Sequence, residues 1–200
     1  DVISPLVQKL RKYSTLGAIS PMVKYIETDE IKSRGADAVT MIPDAHFERR
    51  RNRFRTAIDD PVLNYGVSYS ACLFTTEALQ KGGSFPEEYF MYVEDVEHGL
   101  LLEESGYQRA THTGVALSHE FHGSTDPHGP LPAYYKARNW LLLHQKRNLE
   151  PRGRFLILYL NFILTRFLHR LFTLNIDGLK GFIRGMIDGL KGKKGRGPFP

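Results

Sequence analysis

Between Phe85 and Tyr107 the chain reads FPEEYFMYVEDVEHGLLLEESGY. Its chemistry is carboxylate chemistry: Glu87 and Glu88, then Glu94, Asp95 and Glu97, with aromatic residues between the two groups. A carboxylate in a partly dry cleft binds its proton more tightly than in water, and so becomes a base able to take a proton from a hydroxyl. At the start of a helix the same acids also serve as first-turn charges that the helix dipole favours. Residue type alone leaves both uses open.

Other chemistries are poorly served. The single cysteine, Cys72, excludes a disulfide framework or a cysteine zinc site within the chain. Gly82-Gly83 lies in no phosphate-loop or dinucleotide spacing, and no G-x-S-x-G elbow occurs. His112, His119, His122 and His128 are irregularly spaced in and beside a loop, which does not suit a dedicated zinc site. Arg49, Arg50, Arg51, Arg53 and Arg55 lack the interleaved aromatics of a nucleic-acid groove beyond Phe47 and Phe54, so a solvated loop is the expectation and no nucleic-acid partner is expected.

The elements that must position the acids follow from periodicity. Leu6, Leu10 and Tyr13 predict a helix over residues 5–13, and residues 16–25 read as a strand that Pro21 should confine to an edge or an end. A short strand is expected near residues 38–42, a surface loop over 46–60, and a buried strand over 67–75. Thr75 or Thr76 caps a short helix that Gly82-Gly83 ends. Residues 94–104 predict a helix with Val96 and Leu100 inward, closed by Gly106. A strand over 110–118, a Gly/Pro/His loop and a helix over 133–149 complete an α/β pattern.

Charge divides the chain. From Pro151 onward ten Lys and Arg stand against two acids; before it, seventeen stand against twenty, within a net charge of +5. The sequence therefore reads as a body over residues 1–150 and a basic tail over 151–200. Residues 155–174, FLILYLNFILTRFLHRLFTL, have an unbroken apolar run far shorter than the roughly 20 residues of a spanning helix. Asn161, Thr165, Arg166, His169, Arg170 and Thr173 mark a polar face. Next, Ile176, Leu179, Phe182, Ile183, Met186, Ile187 and Leu190 share one face, with Lys180, Arg184 and several glycines on the other, and four more bases follow in residues 191–196. Basic amphipathic helices of this kind are expected on an anionic membrane surface; packing on the body is the other reading. The first residues carry no initiator Met, basic stretch or long apolar core, so the start reads as internal to a longer protein.

The acidic segment resembles the ED motif of family 2 glycosyltransferases: an aromatic run, Glu94-Asp95, an acid two residues on, a helix and Gly106-Tyr107. Other segments of that family have counterparts in the same order. Upstream stand GAISPMVKY and TDEIKSRGA, then the small-residue strand 67–74 and Gly82-Gly83-Ser84-Phe85-Pro86-Glu87. Downstream come Val115 to Ser118, His119, Gly123-Ser124, Tyr134-Tyr135 and Arg138-Asn139. Five ordered segments span residues 17–139.

The resemblance implies a GT-A-type mixed sheet flanked by helices, with the N-terminal portion missing. It implies inverting transfer of a sugar from a nucleotide-sugar donor to a saccharide or lipid-linked acceptor in cell-surface polysaccharide synthesis, rhamnosyltransferase-like members being nearest. Asp95 is then the base and Glu94 a contact to acceptor or donor hydroxyls. Tyr92, Glu97 and Arg138 are substrate-binding, although Glu97 stands where relatives often have Asp. A divalent cation, Mg2+ or Mn2+, would be held by His119, with His122 as competitor, and by Asp1 as the last acid of a D-x-D motif. The expected location is peripheral, on the cytoplasmic face of the cell membrane. A non-catalytic, membrane-associated module that binds a carbohydrate or protein is the alternative from another class.

Overall fold

The computed structural model describes residues 1–26, 31–33, 62–63, 71–119, 126, 128–147 and 152–199. It is a mixed α/β structure with a small mixed sheet and six α-helices among the described residues. The chain divides into two compact units: Asp1–Phe85 with Asp95–Phe121, and Pro86–Glu94 with His122–Pro200. The break expected at Pro151 is one of charge; by packing, residues 130–147 group with those that follow it.

The first unit is built on strand β1 (Leu16–Tyr25), which follows helix α1 (Ile3–Lys12) after a short turn. The Asp1 carboxylate accepts the N–H groups of Ile3 and Ser4 at 3.0 and 3.2 Å and so caps α1. Strand β5 (Gln108–His119) runs parallel to β1 on one side. On the other side β4 (Leu73–Phe74) and β2 (Ile31–Ser33) pair with it antiparallel, and β3 (Val62–Leu63) lies beyond β5. Successive β1 residues face opposite sides of the sheet. Ile19 joins Leu6, Leu16 and Ala110 in one core, and Ala18 joins Ala78 and Leu102 in another.

Pro21 is buried inside β1, not at an edge or an end. The pairing explains how a residue without an N–H is accommodated there. β4 pairs with Ala18 and Ile19, β2 pairs with Val23 and Lys24, and the β5 register shifts between Pro21 and Met22. Proline stands where the antiparallel partners change over, a place that suits a residue without an N–H.

Helix α2 (Thr76–Gly82) starts at Thr75, whose hydroxyl accepts the Ala78 N–H at 3.2 Å, and stops at Gly83, whose φ of 84° suits glycine. Helix α3 (Glu94–Glu104) ends before Gly106, φ 88°. It buries Val96, Leu100 and Leu102, and with them Glu97, His98 and Gly99. Residues 38–42, 46–60 and most of the strand expected over 67–75 lie outside the described residues.

The second unit packs three long helices. Helix α4 (Pro130–Arg147) is buried on nearly every side, α5 (Arg152–Phe172) returns antiparallel along it, and α6 (Ile176–Leu190) runs parallel to it. Phe155 stacks on His144 at 3.7 Å, and the Tyr159 hydroxyl donates to the Ala137 carbonyl at 2.8 Å. Ala133, Ala137 and Phe182 form the core of the three, with Phe162, Ile163, Phe167 and Met186 packed against it.

The glycines of α6 are not on the outer face, as its sequence suggested. Gly178, Gly181, Gly185 and Gly189 are buried. A Cβ at Gly178 would fall 2.7 Å from the His128 carbonyl oxygen, at Gly181 2.7 Å from Pro130 Cα, at Gly185 2.9 Å from Tyr134 Cα, and at Gly189 2.9 Å from the Arg138 oxygen. The stripe lays α6 directly on the backbone of α4, and any side chain there would force the two helices apart. Ile176, Ile183, Ile187 and Leu190 are left exposed.

Gly185→Ala should lower stability by about 1–3 kcal/mol through overpacking, although alanine favours helix elsewhere. Ile187→Ala should change it little. Chemical denaturation of both variants checks the contrast, and a Gly185→Ala midpoint equal to or above that of the parent would refute the close approach.

Candidate functional site

The approach to α3 is backbone in an unusual state. Phe90, Tyr92 and Val93 have φ of 63°, 60° and 73°, a left-handed region that disfavours side chains, above all a β-branched one. Such a loop persists only where its surroundings determine it. Here one amide does so. Asn139 Nδ2 donates to the carbonyls of Tyr89, Met91 and Tyr92 at 2.9, 2.7 and 2.8 Å. Its Oδ1 accepts Arg138 Nε at 2.8 Å, which fixes which end of the amide faces the loop. Arg138 Nη2 adds a bond to the Tyr89 carbonyl at 2.8 Å, and Nη1 one to Gly195 at 2.7 Å. Tyr134 and Tyr135 lie 5.3 and 4.8 Å from the guanidinium.

The loop delivers the chain to Glu94, and the division between the units falls between Glu94 and Asp95. Asp95 is half-buried in the first unit, and its Oδ1 accepts the Val96 N–H at 2.8 Å. Burial raises its carboxyl above the usual range; backbone hydrogen bonds and the charge of Arg109 oppose this without cancelling it. Arg109, on β5, is buried, 3.7 Å from Glu103, and occupies space that a side chain on Gly99 would take. One turn along α3, His98 Nε2 lies 3.3 Å from the Gly83 carbonyl, and its ring stacks on Phe85 at 4.3 Å.

The other residues named from sequence are placed as follows. Glu97 is fully buried on α3 and Arg138 fully buried on α4, with the Arg138 donors committed to Asn139 and to backbone. Arg138, expected to meet a substrate, here holds the loop through the Tyr89 carbonyl and the chain end through Gly195. Tyr92 is half-buried, with the Lys136 ammonium 4.7 Å from its ring. His119 closes β5, opposite Tyr25, and its carbonyl accepts the Ile26 N–H at 3.1 Å. Asp1, expected at a metal, uses its Oδ1 to cap α1. Among the described residues no three of His, Cys, Asp and Glu gather as a cation site, so Asp1 and His119 do not by themselves fit one. His122, Gly123 and Ser124 lie outside the described residues. Burial pushes the Cys72 thiol up to about 12, which keeps it neutral and unreactive near pH 7.

Arg109 and Asn139 are the contributors that residue type did not disclose. An arginine in an apolar strand opposite a helical glycine is a weak sign of a buried cation, and only the three-dimensional pairing of Arg109 with Gly99 makes it readable. No family model, no curated protein and no solved structure matches the chain.

Burial holds His98 below its ordinary 6.5, and Arg109 lowers it further, against the pull of the Gly83 carbonyl. The unfolded chain therefore takes up a proton that the folded chain refuses. This stabilisation is complete above the unfolded value and is lost as pH falls through it toward the folded value. The thermal midpoint should fall from about pH 7.5 to about pH 5.5, and His98→Gln should flatten that slope even if it lowers the midpoint throughout. An unchanged slope would remove His98 as its source.

Proposed function

We propose that this chain is the acceptor-side part of an inverting glycosyltransferase of the GT-A class, resembling family 2, with Asp95 as general base. The observation that carries the reading is the state of Asp95: a half-buried carboxylate with a raised pKa at the first turn of a helix, in the segment that resembles the ED motif.

In the proposed reaction the Asp95 carboxylate accepts the proton of an acceptor hydroxyl. That oxygen attacks the anomeric carbon of a nucleotide-sugar, and the bond to the nucleoside diphosphate breaks on the opposite face, inverting the centre. A raised pKa makes the ionised carboxylate a stronger base. Glu94 and Tyr92 are the proposed contacts to sugar hydroxyls. The resemblance implies Mg2+ or Mn2+ on the leaving diphosphate; the described residues assemble no site for it, and no step above depends on it.

We further propose that the second unit rests on the cytoplasmic face of a membrane. Helix α5 has 21 residues, and by length and composition its stretch Phe155–Phe172 is apolar enough to cross one. Leu156, Leu160, Leu164, Leu168 and Leu171 form an exposed stripe along it, while Phe155, Tyr159 and Phe162 pack inward. A helix with one face tied to its own unit suits lying in the interface. The basic end contributes less to this than its composition suggests. Lys193 pairs with Asp188 at 2.8 Å, Lys194 with Glu88 at 2.8 Å, and Gly195 N–H with the Glu88 carbonyl at 2.7 Å.

The transferase reading is tested on the full-length gene product with a panel of nucleotide-sugars and Mg2+ or Mn2+, following nucleoside diphosphate release. Asp95→Asn should reduce transfer by about 10²–10⁴-fold. Full activity in the variant would remove Asp95 as the base, and no release from any donor by folded protein would put the binding-module reading first. The membrane reading is tested by flotation with anionic liposomes. The parent should float, and the triple variant Leu156→Gln, Leu160→Gln, Leu164→Gln should stay behind; equal flotation would refute it.

A further inference from the structure

One cleft of the second unit collects cations without acids. About 180 Å3 in volume, it is lined by Lys136 of α4, by Arg166, His169 and Arg170 of α5, and by His128, over a floor that includes Phe162 and Phe182. No acidic residue lines it among the described residues. His128 and His169 lie with their rings roughly parallel, 5.8 Å apart. Arg170 is the informative member. It is only 8% exposed, its guanidinium lies 5.3 Å from the Phe182 ring, and Nη1 donates to the Arg166 carbonyl at 3.2 Å. Its Nε is buried with no hydrogen-bond partner among the described residues, and Arg170 makes no ion pair among them.

Cations brought together in a partly dry cleft repel one another, and a buried donor left unmade is costly. The repulsion registers on the groups themselves. Desolvation, then Arg166 and Arg170, lowers the Lys136 pKa; desolvation, then Arg166, lowers that of Arg170. An anion relieves every one of these costs at once. Guanidinium and ammonium groups converging on one space match the oxygens of a phosphate. The cleft is smaller than the roughly 300–1,000 Å3 of sites for drug-sized ligands, so it suits a small anionic group better than a whole nucleotide-sugar.

We propose that this cleft is a phosphate-binding site, taking the phosphate or diphosphate of a membrane lipid or of a soluble ester. The leucine stripe on the same helix, α5, places acyl-compatible surface beside phosphate-compatible surface. The lining does not include Asp95, and the proposal does not require glycosyl transfer.

Inorganic pyrophosphate is titrated into the full chain by calorimetry, and vesicles containing phosphatidic acid are compared with vesicles of phosphatidylglycerol at equal charge. The double variant Lys136→Gln, Arg166→Gln changes two exposed cations of the cleft and spares the buried Arg170. Lys180→Gln, Lys191→Gln removes the same charge elsewhere. Binding of pyrophosphate that weakens about tenfold or more in the cleft variant but not in the control supports the site and a soluble source. Preference for phosphatidic acid, lost only in the cleft variant and without pyrophosphate binding, supports it with a lipid source. No binding to any phosphate probe, or equal loss in both variants at unchanged thermal midpoints, overturns it.

Discussion

Three carbonyls that belong to no helix or sheet set the terms for much of the second unit. Tyr89, Met91 and Tyr92 turn their oxygens inward from a left-handed loop, where water cannot satisfy them cheaply, and Asn139 meets all three. An amide has two N–H groups, so three acceptors share two hydrogens, and no other residue of similar size offers that with an oxygen left for Arg138. Arg138 serves twice. Its guanidinium joins the loop to the C-terminal segment at Gly195, and its own carbonyl lies under Gly189 of α6. Loop, helix pair and chain end are thereby one packing problem with one solution.

Buried charge is handled differently in the two units. In the first, Arg109 sits against α3 with Glu103 nearby, and its positive field acts on Asp95, His98 and Cys72 together. Removing it would alter three ionisations at once, so the state of Asp95 is a property of the β5–α3 packing and not of one residue. In the second unit two acids gather most of the ion pairs. Glu88 serves Lys146 and Lys194, and Asp188 serves Arg184, Lys193 and the Tyr134 hydroxyl. Cations further along α5 are left without such partners among the described residues.

The sequence was most readable where local chemistry decides. Strand β1 occupies the expected residues 16–25, Thr75 caps α2, and Gly106 closes α3. It was least readable where a residue answers to something distant. Pro21 is tolerated because two different strands leave a gap beside it. The glycines of α6 looked like a weak polar face because hydrophobic periodicity scores side chains, and a contact made by the lack of side chains leaves no mark in it. The burial of Arg138 was not legible either, since it rests on Tyr134, Tyr135, Asn139 and two distant carbonyls that meet its guanidinium. The acidic motif was legible as a pattern; the burial that makes Asp95 a stronger base was not, since burial is set by packing and Arg109 of β5 then moderates it.

The glycine stripe also bears on when α6 becomes a helix. Four glycines in 15 residues cost roughly 3–4 kcal/mol of helix propensity relative to alanine. A segment so composed has little tendency to coil by itself in water. Its regular structure therefore depends on docking against α4. During synthesis α4 must wait, with the backbone under the stripe uncovered, until the 43 residues from its end at Arg147 to Leu190 have been added. The interval is a period of exposed apolar surface that an early-arriving membrane would shield.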